Sequence, residues 1–221
     1  FAPTETAIRD TFRDRIDRLS PLFGAVEQAA PPCEDADRVF SVLRGLLFLG
    51  AHAERVDAHP DEVGPNVRAN VAEARGRSAA DVADAMRRHG SYLRGWTAFF
   101  ERYDILLCPA VTVSPRPWRE LFPREIDGRP LRSYYHWLAL AYAVSVAGHP
   151  AISVPCGVDG AGLPFGLQIV GRRGDDAAVL GVAQALVEAV AGDPVMDLPA
   201  PDLTALARAR PIAGEAGFRD I

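Results

Sequence analysis

The residue types that could do chemistry in this 221-residue chain are few and awkwardly spaced. Every basic residue is arginine, and the eight serines are isolated, with no Gly-Ser-Ser-Gly run among them. Cys156 and His149 have the types for a thiolate activated by an imidazole. A lone cysteine at the end of an apolar stretch reads first as a small buried filler, however, and catalysis through it is the lesser reading. His52 and His59 lie near Glu54, Asp57 and Asp61. They are seven residues apart with Pro60 beside them, whereas helical metal ligands use four-residue or adjacent-element spacing, so no metal is expected. The run Gly157-Val-Asp-Gly-Ala-Gly162 lacks the Gly-Lys-Ser ending of a phosphate loop and reads as a hairpin-type turn. The pairs Asp35/Asp37 and Asp175/Asp176 stand where helices begin, and the helix dipole accounts for them. No catalytic residue and no cofactor is assigned within the chain.

Strands alternating with long helices must position these residues, which predicts an α/β architecture. A helix over 4–19 carries Ile8, Phe12, Ile16 and Leu19 at helical spacing, with Thr4 as N-cap and Pro21 beyond its end. Phe23 to Ala29 reads as a short strand. Val39, Val42, Leu43, Leu46, Leu47, Gly50 and Ala53 mark one face of a second helix, and a third runs from Ser78 to Tyr103. Ser78 and Asp81 resemble a capping box there, and Val82, Met86, His89, Leu93, Trp96, Phe100 and Tyr103 form the core stripe. Asp104 to Cys108 lacks period-two alternation and is expected to be buried on both faces. Val111 to Pro130 reads as a long surface loop. Leu131 to Val146 reads as an aromatic helix, and 151–154 and 165–170 as strands. A helix over 175–190 follows, with Val179, Ala183, Leu186, Val187 and Val190 on its inner side. Residues 193–221 are expected to be a proline-rich, poorly packed tail. So few strands make a thin sheet for this length, and an unpaired edge predicts poor solubility in isolation.

Composition narrows the function classes. A net charge of −5 gives no footprint for nucleic acid, and no apolar run approaches the roughly 20 residues of a membrane-spanning helix. Three widely spaced cysteines, Cys33, Cys108 and Cys156, argue against a disulfide framework and for a reducing, cytoplasmic setting.

Three features then line up in order. Tyr103-Asp-Ile-Leu-Leu-Cys-Pro109 is a strand with a stop. After the aromatic helix comes Ala147-Gly-His-Pro-Ala-Ile-Ser-Val-Pro-Cys-Gly157, and then Gly162-Leu-Pro-Phe-Gly-Leu-Gln-Ile-Val-Gly171 enters an acidic-started helix. This order resembles the C-terminal half of the amidase signature family, closely from about 103 to 190 and loosely before that. Ser145 stands where the family usually has Asn, and Ala110 where it usually has Thr.

The resemblance implies the C-terminal portion of the amidase-signature fold, a mixed β-sheet flanked by helices. Residues 1–102 would form a variable, mostly helical region with one short strand, 103–192 the signature core and 193–221 the tail, all within one larger domain. It also implies hydrolysis of non-peptide amide bonds by a serine, a second serine on a cis peptide bond and a neutral lysine, with backbone N–H groups holding the oxyanion. Arginine cannot replace that lysine, since it stays protonated and carries no acceptor. The triad is therefore expected outside this chain, in a missing N-terminal half that would be its principal partner. A small-molecule amide would be the substrate; neither nucleic acid nor membrane is expected as a partner, and a homodimer stays open. Aligned on Ser145 to Pro150, the family's pattern places Tyr135, Leu138 and Tyr142 toward the substrate, an aromatic lining suited to an apolar or aryl amide. The competing reading makes these three core residues. Alternatives for the whole are a truncated homologue that only binds or scaffolds, an amidotransferase-like protein feeding ammonia to a tRNA-linked reaction, and an unrelated cysteine hydrolase.

Overall fold

The structure, a computed structural model, describes residues 1–197 and 201–210. Four helices lead: α1 (Thr6–Leu19), α2 (Ala36–Ala58), α3 (Pro65–Arg75) and α4 (Ala79–Phe99). Strand β1 (Ile105–Pro109) follows, then a long loop holding the two-residue strands β2 (Glu125–Ile126) and β3 (Arg129–Pro130). Then come α5 (Ala139–Ala147), β4 (Ala151–Val158), β5 (Pro164–Gly171), α6 (Asp176–Val190) and α7 (Leu203–Arg208), with 3-10 turns at Ser20–Leu22, Pro60–Glu62 and His136–Leu138.

The α/β expectation holds. The main sheet has the order β1-β5-β4, and both pairings are antiparallel. Alternation along β5 sends Phe165, Leu167 and Ile169 to one face, against Ile8 and Leu19 of α1 and Val179, Ala183, Leu186 and Val190 of α6. Val170 points to the other face, among Tyr92 and Trp96 of α4, Tyr142, Ala143 and Val144 of α5 and Ala36 of α2. Residues of the fully sealed group, Trp96, Phe100, Phe165, Leu167 and Ile169 among them, anchor both layers. Burying an aliphatic or aromatic side chain of this kind contributes about 1.5–3 kcal/mol.

Several local expectations give way to tertiary contacts. The segment 23–29 is no strand: Phe23 packs against the cluster between the sheet, α1 and α6, and Glu27 accepts from the Tyr103 hydroxyl at 2.8 Å beyond the end of α4. Helix α1 starts at Thr6, and Thr4 does not cap it; the Thr4 hydroxyl bonds the Ala2 carbonyl. Asp127, in the β2–β3 turn at φ 48°, accepts from the Thr6 N–H and hydroxyl at 2.9 and 2.8 Å, doing the capping from 121 residues away. The Ser78–Asp81 capping box is present. In α4 the buried seam runs through Ala85, Tyr92 and Trp96 while Met86 is exposed, because the Tyr92 hydroxyl finds the Ala143 carbonyl at 3.0 Å. Likewise Leu47 of α2 and Val187 of α6 face solvent. Strand β1 is half-buried rather than buried on both faces, since it stands at the edge of the described sheet. The tail expectation needs division: Met196 is buried in the sheet cluster and Asp193 accepts from the Val195 and Met196 N–H groups, whereas 198–200 and 211–221 lie outside the described residues.

Two devices lock the sheet's ends. In the β4–β5 hairpin, Asp159 accepts from Ala161 N and Leu163 N, both at 2.9 Å, and Gly157 turns the chain at φ 75°. A Cβ on Gly157 would lie 1.9 Å from the Val195 carbonyl oxygen, so only glycine allows that segment to close over β4. At the other end, Arg172 donates to the Phe100 carbonyl at 2.8 Å and Arg173 to the Gly148 and Ala147 carbonyls at 3.2 Å. Two consecutive arginines leaving β5 thus clasp the C-terminal ends of α4 and α5, where cations complement the helix dipole.

Gly157→Ala is expected to lower stability by more than about 2 kcal/mol, from left-handed strain plus the Val195 clash. Ser78→Ala, which removes one capping bond, should cost about 1 kcal/mol. Urea midpoints of the two variants check the order. His149 donates through Nδ1 to the Gly171 carbonyl at 2.8 Å and stacks on Phe100 at 4.7 Å. Burial pushes its imidazole below the ordinary value of 6.5, Arg173 adding to the effect and the Gly171 carbonyl opposing it. Below about pH 6.5 the unfolded chain binds a proton that the folded ring resists, so stability falls as pH falls. His149→Gln should flatten the dependence of the urea midpoint on pH between about 7 and 5.5; an unchanged slope would remove His149 as its source.

Candidate functional site

The expected helix across 131–146 is interrupted. Residues 131–135 form turns, and α5 begins only at Ala139. The Trp137 indole N–H donates to the Tyr134 carbonyl at 3.0 Å and the Thr112 hydroxyl to the Trp137 carbonyl, so two carbonyls that an upstream α-helical ladder would use are occupied by side chains. Tyr135, Leu138 and Tyr142 therefore do not share one helix. Tyr142 is 3% exposed and stacks on Phe40 at 4.2 Å with an interplanar angle of 8°; Tyr135 is 7% exposed and meets Phe40 edge-on at 5.5 Å. The structure brings these two rings together against α2. Leu138, 38% exposed, is left outside them, on the outward side of α5 with the exposed Ala141 and Ser145.

Side chains that looked like surface charges prove to be interior contacts. Asp37 accepts from the Tyr142 hydroxyl at 3.1 Å and pairs with Arg132 at 3.0 Å. Burial and the Asp37 carboxylate push the Tyr142 hydroxyl above its ordinary value, so it stays a donor. Buried Arg15 donates to the Cys156 and Val158 carbonyls, tying α1 to the bulged end of β4. Arg44 lies 4.2 Å over Phe48 and 4.8 Å over Tyr135 and donates to Asn70 and Tyr134. Apart from Phe48, four residues along α2 from Arg44, each partner is remote in the chain, so sequence spacing carried no signal for these contacts.

The nucleophile candidates are separated or occupied. Cys156 sits in the α6-side cluster, its thiol pushed up by burial, while His149 lies on Phe100 at the opposite end of β4. Seven residues of nearly extended chain separate them by on the order of 20 Å. Burial also raises the Cys33 thiol and pushes Cys108 up to about 12. Ser20, Ser41, Ser78, Ser91 and Ser145 engage their hydroxyls with neighbouring groups. His52 packs on Phe48, and His59 stands 3.8 Å from Glu62. Among the described residues no three His, Cys, Asp or Glu side chains are placed to hold a metal.

Two shallow concavities mark the surface. One, of about 520 Å³, lies in the long loop between Arg116, Phe122 and Arg124; the other, of about 470 Å³, lies between Thr97, Phe100, His149 and the clasping Arg172 and Arg173. Neither has a serine or cysteine on its wall. A further feature is the α5-side face of the sheet near β4. There Ala151, Ser153 and Pro155 are exposed, and Gln168 stands in register between Ser153 and Cys108. The described residues thus bring together no cysteine–histidine pair and no metal cluster.

Known proteins similar to this chain point to one family. The Amidase family profile matches residues 55–180, more than half of the chain. An acylamidase of Rhodococcus erythropolis is 37% identical over 112 residues, 50% of this chain and 23% of that protein. A glutamyl-tRNA(Gln) amidotransferase subunit from Halalkalibacterium halodurans is 42% identical over 90 residues, 41% of this chain and 17% of that protein. Among solved structures, a bacterial aryl acylamidase of the amidase signature family superposes with a TM-score of 0.71 at 21% identity, covering 85% of this chain and 41% of that one, a likeness of fold. The chain spans less than a quarter of the length of either curated relative. With its glycine-proline motifs on β4 and β5, its three-layer packing and the profile match, the chain belongs to the amidase signature family.

Proposed function

We propose that these residues are the C-terminal portion of an amidase-signature hydrolase that cleaves non-peptide carbon–nitrogen bonds of small amides. The nucleophilic serine, its bridging serine and the lysine base would stand outside this chain, in an N-terminal half that completes the sheet. One observation carries the reading: a family match over 55–180 in a sequence without a single lysine. The family's base must accept a proton, and guanidinium cannot do so near neutral pH. The outer strands support it further. Ile105–Pro109 and Ala151–Val158 contain no charged residue, although each is paired on one side only among the described residues. Finished sheets blunt such edges with charges, so these two resemble interior strands of a wider sheet.

In this reading the chain supplies pocket wall. Leu138 offers the apolar contact, and Tyr135 and Tyr142 support it from behind through Phe40 and Asp37. An apolar or aryl acyl group suits that lining, in keeping with the similarity to an acylamidase. The three unbridged cysteines suit a reducing, cytoplasmic setting.

A serine-directed fluorophosphonate probe applied to the protein purified at its natural length tests the assignment. Labelling is expected on a serine outside these 221 residues, in a species heavier than 23.8 kDa or in a co-purifying chain, together with hydrolysis of an aryl anilide. Hydrolysis by the pure 221-residue polypeptide, or labelling of one of its own serines, would overturn it. Leu138→Ala in the active assembly should raise KM for an aryl anilide several-fold with kcat nearly unchanged.

A further inference from the structure

Helix α2 carries Phe40, Arg44 and Phe48 four residues apart, so the three side chains share one face. All three are half-buried. The Arg44 guanidinium lies 4.2 Å over Phe48, 4.8 Å over Tyr135 and 5.3 Å over Tyr134. It donates to Asn70 Oδ1 and to the Tyr134 hydroxyl. The Asn70 side-chain amide donates in turn to the Tyr134 hydroxyl at 2.7 Å and to the Asn66 carbonyl at 2.6 Å. The groups that hold the guanidinium are therefore themselves fixed.

What Arg44 lacks is a counter-charge: among the described residues no carboxylate pairs with it. The acid before it on α2 and the one acid of α3 are committed elsewhere, Asp37 to Arg132 at 3.0 Å and Glu73 to Arg77. Arginine stays protonated near neutral pH, so a lost proton cannot relieve the charge. Aromatic faces offset part of the lost hydration, and two of the five N–H groups are used. The Nε–H and one N–H on each terminal nitrogen remain. Two such neighbouring groups bind a carboxylate by parallel hydrogen bonds.

The surroundings select the kind of anion. Phe48, Tyr134 and Tyr135 present flat apolar rings, and Phe122 stands 5.8 Å from the Tyr134 ring. Phe122 also belongs to the wall of the concavity of about 520 Å³ in the long loop, where three arginines outnumber two glutamates. That balance favours the approach of an anion. One guanidinium supplies one charge, which matches a carboxylate better than a doubly charged phosphate.

We infer that Arg44, with the rings of Phe48, Tyr134 and Tyr135, forms a receptor for the carboxylate of a small aromatic or apolar acid. The site stands on its own geometry and does not need the hydrolase reading. Such a carboxylate has two possible sources, the far end of an acyl group undergoing hydrolysis or a separate acid. The recognition chemistry is the same for both.

The protein at its natural length is titrated by calorimetry with benzoate and with its neutral counterpart, benzyl alcohol. Benzoate is expected to bind roughly tenfold more tightly, the worth of a charge-assisted hydrogen bond. Arg44→Met, which keeps an unbranched side chain, should remove that preference and leave benzyl alcohol unaffected. Arg44→Lys keeps the charge without the fork and should retain part of it, so the test survives a misfolded Met variant. Arg38→Met, on the same helix but paired with Asp84, should bind benzoate as the wild type does. Hydrolysis of succinanilic acid and of butyranilide then separates the sources. A lower KM for the acid that Arg44→Met abolishes, with kcat unchanged, assigns the carboxylate to the acyl group. Arg44-dependent benzoate binding with equal KM values assigns it to a separate acid.

Equal binding of benzoate and benzyl alcohol, or full benzoate affinity in Arg44→Met, would overturn the receptor. So would a loss of affinity for both probes, which marks Arg44 as structural support. Arg44-dependent benzoate binding in a protein that hydrolyses neither anilide would sustain the receptor and sink the hydrolase reading. Hydrolysis of both anilides without any preference for benzoate would do the reverse.

Discussion

The arrangement depends on one constraint: β5 must be satisfied on four sides at once. Its main chain bonds β1 and β4, and its alternating side chains fill two separate apolar layers. A strand in that position leaves little room for substitution, because each residue on it answers both to a neighbour in register and to a helix above or below. Gln168 departs from the apolar pattern on this strand and stands buried in register with Ser153 of β4.

The helices are held to that strand by charge placed at their ends rather than along their surfaces. Arg172 and Arg173 follow β5 directly and reach the last carbonyls of α4 and α5, while Asp127 reaches the first N–H group of α1. Buried Arg15 performs the same service for the carbonyls freed by the β4 bulge. By contrast, the many exposed pairs on α2 and α4, such as Arg38 with Asp84 and Arg88 with Asp35, lie in high-dielectric surroundings and contribute little to the choice of fold. The aromatic support behind Leu138 follows the first pattern: Phe40, Tyr135 and Tyr142 pack as rings, and Asp37 takes the hydroxyl that would otherwise be stranded.

Such a body has two helical layers, a short sheet and uncharged outer strands. Its serines and cysteines are occupied, buried or apart, and its lysine content is nil.

Much of this was legible from residue order alone. The hairpin of β4 and β5 could be read from glycine and proline placement, because turn chemistry is local. The Ser78–Asp81 cap and the inner seam of α6 were legible for the same reason: partners three or four residues apart are set by helix geometry. The absence of lysine needed no structure. Where the determining partner is remote, the sequence was silent. Thr4 looked like the cap of α1, but Asp127 takes that place through a turn that only the fold brings near. Residues 23–29 have strand-like composition, yet among the described residues no strand pairs with them, and their anchor is the side-chain bond from Tyr103 to Glu27. Tyr135, Leu138 and Tyr142 fit one helical period, but side-chain bonds from Trp137 and Thr112 break the helix and send the tyrosines inward and Leu138 out. Periodicity and turn chemistry belong to neighbours along the chain; which face is inside, and what caps an end, is decided by groups that meet only after folding.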